Sequence, residues 1–148
     1  MDYNKEEVQN LSTLVRGELA AVETYKQALD KISTKESAGE LKRIESDHEQ
    51  ALKVLREHMA QRSAAAPVDS GLWGEWAKAV AGAASAFGDK AAIKALKEGE
   101  EHGVYSYERA LGDESMDAEI RRIISSQLLP KTKAHITVLD RLLVQAGK

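Results

Sequence analysis

Cysteine is absent from this chain of 148 residues. Disulfides, zinc fingers with thiolate ligands and iron–sulfur clusters are therefore excluded, and any bound metal must be held by oxygen and imidazole ligands. A chain without cysteine suits a reducing compartment, and its first residues lack the basic and apolar pattern of a secretory signal. We therefore expect a cytoplasmic protein.

Several other features are scarce. The chain has two prolines and one phenylalanine, no strand-like alternation, and no apolar run of the 18 residues that a membrane span needs. Its 24 acidic and 21 basic residues give a net charge of -3 and are mixed along the chain. These absences predict an all-α protein without a transmembrane segment, and the charge pattern predicts no nucleic-acid binding.

What the chain does contain is helical periodicity, with inward apolar residues at alternating spacings of three and four. Its length fits a single domain over residues 1–148. Four long helices are predicted, at about residues 4–32, 37–62, 89–111 and 116–146, with a crossover at 63–88 that carries a short extra helix. The predicted helix caps are Asn4, Ser37 and Asp89. Pro130 removes one backbone donor, so a kink or bulge is expected in the fourth helix.

Residues 17–29 and 99–111 align without a gap. Both segments contain glycine, glutamate, valine, tyrosine, alanine and leucine at the same places. The second and fourth helices match more weakly, from His48 to Leu55 and from His135 to Leu142. The chain therefore looks like two helical hairpins joined by a crossover.

Ionisable residues occupy inward positions of all four helices. They are Glu18, Glu45, His48, Glu100 and His135. Residues equally far from a turn lie at one height in a hairpin, which places Glu18 beside His48 when the turn is at Ser33. Buried carboxylates must be paired, protonated or bound to a cation. A two-metal site explains the whole set, with one Glu from each of two helices and Glu-x-x-His from each of the others.

The first and third helices each contain a glutamate, then a tyrosine, then Ala-Leu. With this pattern the chain resembles the ferritin-like superfamily, and in particular its small bacterial members of unknown function. Glu45-Ser-Asp-His48 adds the expected Glu-x-x-His. The resemblance covers essentially the whole chain and implies a ferritin-like four-helix bundle that binds iron or manganese. It also implies a setting in bacterial stress, or in iron and oxidant handling.

Carried over residue by residue, the resemblance implies that Glu18 and Glu100 are single carboxylate ligands. Glu45 and His48 then form the first Glu-x-x-His, and His135 is the second histidine. The chain departs from the pattern three residues before His135, where Thr132 replaces the fourth carboxylate. The five remaining ligands carry three negative charges against the four positive charges of a divalent pair.

Two alternatives follow from this departure. One is a degenerate metal site of low occupancy, and the other is a metal-free bundle with a structural or protein-interaction role. In the second, histidine and tyrosine donors satisfy the carboxylates. Tyr25 and Tyr107 are predicted to bond core carboxylates through their hydroxyl groups, in a supporting shell with Thr132. No catalytic residue is identified.

Two further groups of residues are given no chemical role. Trp73, Trp76 and Phe87 either pack the crossover against the bundle or make residues 70–88 a contact surface, for a partner subunit of a homo-oligomer or for a membrane interface. His58 and His102 are predicted to be partly exposed and structural.

Overall fold

The computed structural model describes residues 5–71 and 74–146. Within these ranges the regular structure is helical and contains no strand, which confirms the all-α prediction. The elements are α1 (Lys5–Lys31), α2 (Lys35–Gln61), α3 (Gly74–Phe87), α4 (Asp89–Leu111), α5 (Ala118–Ile123), a π-helical turn (Ile124–Leu128) and α6 (Leu129–Ala146). None of the described helices is both long and apolar enough to cross a membrane.

The long helices form a bundle in which α1 contacts α2 and α4, and α6 contacts α4 and α2. α1 and α4 are antiparallel, because Ser33 bonds to Asp89 at one end and Asn10 bonds to Asp113 at the other. The crossover returns the chain along the bundle, and its helix α3 packs against both α1 and α4.

Apolar residues fill the bundle above and below its middle. One cluster includes Leu11, Leu55 and Ile120, and the other includes Leu41 and Leu139. Each fully buried aliphatic side chain of this kind contributes about 1.5–3 kcal/mol. Each of the four long helices contributes a buried ionisable residue near the level where the two clusters meet, namely Glu18, His48, Glu100 and His135.

The helix ends differ from the predicted caps. α2 begins after Thr34, and no side chain caps it, so Ser37 lies inside the first turn. Gly88 precedes α4 with a φ of 86°, and Asp89 instead accepts hydrogen bonds from the amide and hydroxyl of Ser33. The carboxylate therefore ties the α1–α2 turn to α4. Asn4 lies outside the described residues.

The irregularity expected near Pro130 is the π-helical turn Ile124–Leu128 that precedes it. Pro130 has no amide hydrogen, so the carbonyl of Ser126 loses its usual helical partner. At the end of the turn the amide of Leu129 donates to the carbonyl of Ile124, five residues back. The wider turn keeps Ile120, Ile124 and Leu128, which are spaced by four, on the inner face.

Candidate metal centre

Four of the predicted site residues meet in the middle of the bundle, one from each of α1, α2, α4 and α6. His48 lies between two carboxylates, with Nδ1 2.6 Å from Oε2 of Glu18 and Nε2 2.6 Å from Oε1 of Glu100. His135 approaches the same Glu100 from α6, with Nδ1 3.3 Å from Oε2. All four residues are at most 5% exposed.

The two tyrosines bind the carboxylates crosswise. Tyr25 of α1 donates to Oε1 of Glu100 on α4 at 2.8 Å, and Tyr107 of α4 donates to Oε1 of Glu18 on α1 at 2.6 Å. The sequence predicts a hydroxyl-to-carboxylate bond for both tyrosines, and each makes one. Because Glu18 corresponds to Glu100 and Tyr25 to Tyr107 in the repeat, the two bonds are equivalent across the antiparallel helix pair.

Sequence reasoning missed Asp47. Its Oδ2 lies 2.9 Å from Nε2 of His135, on the side of the imidazole away from Glu100. The available signal was its position in the chain, since Asp47 directly precedes the inward residue His48. A residue 100° around the helix from an inward position can still reach the neighbouring helix.

Glu45 and Thr132 lie near this group without joining its hydrogen bonds. Glu45 is 1% exposed, and its Oε1 accepts from Nζ of Lys42 at 3.1 Å. Its Oε2 is buried without a hydrogen-bond partner among the described residues. Thr132 donates its hydroxyl to the carbonyl of Leu128 one turn back, at 2.8 Å, which is a common choice for a threonine inside a helix.

The electrostatics of the group centre on His48. Burial lowers its pKa, but Glu100 and Glu18 outweigh burial and hold the pKa well above its ordinary value. Burial raises the pKa of Glu100, yet His48 and His135 bring it down to about 2. Burial and the nearby carboxylates raise the pKa of Tyr25 and Tyr107 well above the ordinary value. Without a metal, these directions favour an imidazolium at His48 between the carboxylates and neutral hydroxyl donors at both tyrosines.

A small cavity of about 30 Å³ adjoins the group. Glu18, His48, Glu100, Tyr107 and Thr132 all contribute to its wall. A space of this size can hold about one water molecule. The centre therefore has room for a small additional ligand beside the carboxylates.

The remaining predicted residues lie elsewhere. His58 is 7% exposed, which corrects the expectation that it is partly exposed, because the end of α2 is covered where Arg62 bonds back to the carbonyl of His58. His102 is exposed on α4. Trp76 packs partly buried against the bundle, whereas Phe87 is 81% exposed. Trp73 lies outside the described residues.

His48, Glu100 and His135 form a group that could hold a metal ion. Each offers one ligand atom, and these atoms all lie within 4.8 Å of one another. Glu18 and Asp47 approach the imidazoles from outside this group, at Nδ1 of His48 and Nε2 of His135.

The chain belongs to the family described as "Domain of unknown function (DUF2383)". The family profile matches residues 6–113, which is more than half of the chain. The matched segment contains Glu18, His48 and Glu100, while His135 lies beyond it. Searches of curated proteins and of solved structures found no match.

Proposed function

We propose that this protein is a ferritin-like metal-binding bundle that holds one divalent ion between His48, Glu100 and His135. The observation that carries the proposal is the hydrogen bonding of the two imidazoles. Each has one ring nitrogen directed at Glu100 and the other within 3 Å of a further carboxylate, Glu18 or Asp47. Histidines that bind metals usually have their second nitrogen held in this way, which fixes the ring and raises its basicity.

The three ligand side chains also limit which metal ion can bind. Two imidazoles and one carboxylate are typical of non-haem Fe(II) sites with open positions, and similar sets bind zinc. We propose iron, with manganese as the nearest substitute. The cavity of about 30 Å³ beside Glu100 would give a bound ion space for a ligand that the protein does not supply.

A single ion accounts for the arrangement better than the pair that the ferritin-like pattern implies. A second ion would need Glu45, whose carboxylate is directed to Lys42, and a carboxylate at position 132, where a threonine bonds to its own helix. Roles in bacterial stress or in iron and oxidant handling, and a cytoplasmic location, remain part of this proposal and rest on the resemblance and the composition.

Metal binding must displace a proton. As an imidazolium, His48 carries a proton on each ring nitrogen, one facing Glu18 and one facing Glu100, and the nitrogen that binds the ion must lose its proton. We therefore expect proton release when the ion binds, and an affinity that rises with pH.

A metal-free structural role is the second candidate. The observation that favours it is that Glu18, Glu100, His48 and both tyrosines already satisfy one another. In that case the centre is a polar network that fixes the register of the helices.

Anaerobic titration with Fe(II) and with Mn(II), followed by elemental analysis, separates the candidates. We expect about one equivalent per chain, since the three ligands form one site. Glu100→Gln and His135→Gln should abolish binding. Glu45→Gln is the matched control, because it removes a buried carboxylate outside the three-residue group, and it should retain the stoichiometry.

Absence of stoichiometric metal at neutral pH would leave the structural role. Two equivalents per chain, or loss of binding in Glu45→Gln as complete as in Glu100→Gln, would contradict the single site and favour a two-metal centre.

A further inference from the structure

The centre is closed to solvent, although an ion must reach it. Glu100 is 1% exposed, and His48, His135 and Glu18 are 4–5% exposed. The adjoining cavity of about 30 Å³ is smaller than a hydrated cation and is lined by Gly17 and Gly99 as well as by the centre. Entry therefore requires one of the walls to move.

Trp76 of α3 stands between this cavity and the surface. A surface groove of about 470 Å³ runs between α3 and α4, and both Trp76 and Gly99 line the groove as well as the small cavity. The contact between these two residues is close, because a methyl group at Gly99 would lie 1.8 Å from Cε2 of Trp76. The absence of a side chain at position 99 is what allows the indole to lie there.

The indole is the wall of the cavity that also faces the groove, and it is held by one hydrogen bond and one ring contact. Nε1 of Trp76 donates to the carbonyl of Ala95 at 3.0 Å, and the ring meets Tyr25 edge-on at 6.3 Å. Two other wall residues are bonded inside the bundle, Tyr107 to Glu18 and Thr132 to its own helix. Trp76 is partly exposed and lies on the short helix α3 at the edge of one buried cluster, so it is the wall residue that we expect to move.

The groove carries negative charge at its mouth. Glu98 lines the groove, and it lines a neighbouring depression together with Glu101. Both residues are exposed on α4. Acidic side chains around a cleft raise the local concentration of cations and the rate at which they associate.

We propose that a divalent cation enters between α3 and α4, past Trp76, whose indole closes the route at rest. This inference rests on the proposed metal centre and adds the path and the gating residue. Glu98 and Glu101 attract the cation, the indole swings away from Gly99, and the ion passes into the small cavity beside Glu100.

Two measurements test the route. In the first, Mn(II) is mixed rapidly with the protein, and the disappearance of its free EPR signal is followed in freeze-quenched samples. In the second, hydrogen exchange of the His48 ring N–H is followed by nitrogen-15 NMR in metal-free protein. Trp76→Ala should accelerate both by roughly tenfold or more, the equivalent of about 1.4 kcal/mol in barrier height, with unchanged metal stoichiometry.

Val80→Ala is the matched control, because Val80 is a buried residue of α3 that lines neither space. It should change both rates much less than Trp76→Ala does. Trp76→Phe is the second variant should the alanine variant fold poorly, and we expect an intermediate acceleration. The double variant Glu98→Gln/Glu101→Gln should slow Mn(II) uptake and weaken its dependence on salt, without affecting ring N–H exchange.

The outcomes distinguish the route from the metal centre. Faster ring N–H exchange in Trp76→Ala without metal binding by any variant would support the route for small solutes and overturn the proposed function. Stoichiometric binding with equal rates in wild type, Trp76→Ala and Val80→Ala would support the centre and overturn the route.

Discussion

The imidazole of His48 is held by Glu18 and Glu100. The contributions of the histidine and of Glu100 to the free energy of unfolding change with pH in opposite directions. The pKa of His48 is raised well above 6.5. Its contribution to stability is complete below about pH 6.5 and is lost as the pH rises, because the unfolded chain gives up its proton first. The pKa of Glu100 is lowered from 4.5 to about 2, so its contribution is complete above about pH 4.5 and is lost towards pH 2.

Metal-free protein should therefore be most stable between these limits. Above about pH 6.5, the free energy of unfolding should fall by about 1.4 kcal/mol per pH unit, because His48 keeps its proton in the folded protein and loses it in the unfolded chain. Urea unfolding in the presence of a chelator, repeated from pH 5 to pH 9, measures the slope. His48→Gln should flatten it, whereas His102→Gln, which removes an exposed histidine, should leave it intact. An equal slope in His48→Gln would mean that the proton is not held as the geometry indicates.

Individual residues also show how far a sequence determines a site. Glu18, His48, Glu100 and His135 could be predicted because each interrupts an apolar seam, and a seam fixes which face of a helix is inward. The position of a residue in the seam does not fix where the carboxylate group at the end of its flexible side chain lies. One carboxylate oxygen of Glu45 accepts from Lys42 while the other is buried without a hydrogen-bond partner among the described residues, and Asp47 reaches His135 from the edge of the inward face.

At the scale of single elements, the π-helical turn decides whether α5 and α6 can present one inner face. Ser125, Ser126 and Gln127 are exposed within it and bury no apolar surface. Ile124 and Leu128 on either side are buried. The π-helical turn therefore absorbs one extra residue and keeps Ile120 and His135 on the same face, and the extra residue contributes no packing of its own.

Deletion of Gln127 should convert this segment into an α-helix. Both flanks then keep their present orientation, because the inward residues follow one another at spacings of four, three and four, which an α-helix holds on one face. We expect a loss of about 3 kcal/mol in the free energy of unfolding, because the ring of Pro130 then clashes with the carbonyl four residues earlier. Gln127→Ala is the control, since it removes the side chain and keeps the π-helical turn. Pro130→Ala combined with the deletion should recover most of the loss; an equal loss with and without Pro130 would show that the turn does not serve to accommodate the proline.

The elements also differ in how well they could be predicted. Periodicity reveals long helices because each inward residue repeats the same signal. The N-cap of α4 was predicted wrongly because the Asp89 carboxylate accepts a hydrogen bond from Ser33, 56 residues earlier in the chain. The sequence around Asp89 gives no indication of such a distant partner. A signal for the π-helical turn was present, since inward residues at 120, 124, 128 and 132 keep a spacing of four, which drifts by about 120° around a regular α-helix.

For the molecule as a whole, the two hairpins must stay in register at both ends for the centre to form. At the end near the start of α1, a buried ion pair does this, with Nε of Arg62 2.7 Å from Oε1 of Glu7. The other oxygen of Glu7 accepts from the amide of Asp117, just before α5. Three segments distant in the chain therefore meet at one carboxylate.

Arg62→Met tests this junction, since it keeps the apolar length of the side chain and leaves Glu7 charged and buried. We expect a loss of about 3–5 kcal/mol in the free energy of unfolding. That loss corresponds to a melting temperature lower by about 10 °C. Arg43→Met, which breaks an exposed pair with Glu40, should cost less than about 1 kcal/mol. The double variant Glu7→Gln/Arg62→Met should be more stable than Arg62→Met alone, because no buried charge is left without its partner; equal stability would mean that the arginine acts through packing rather than charge.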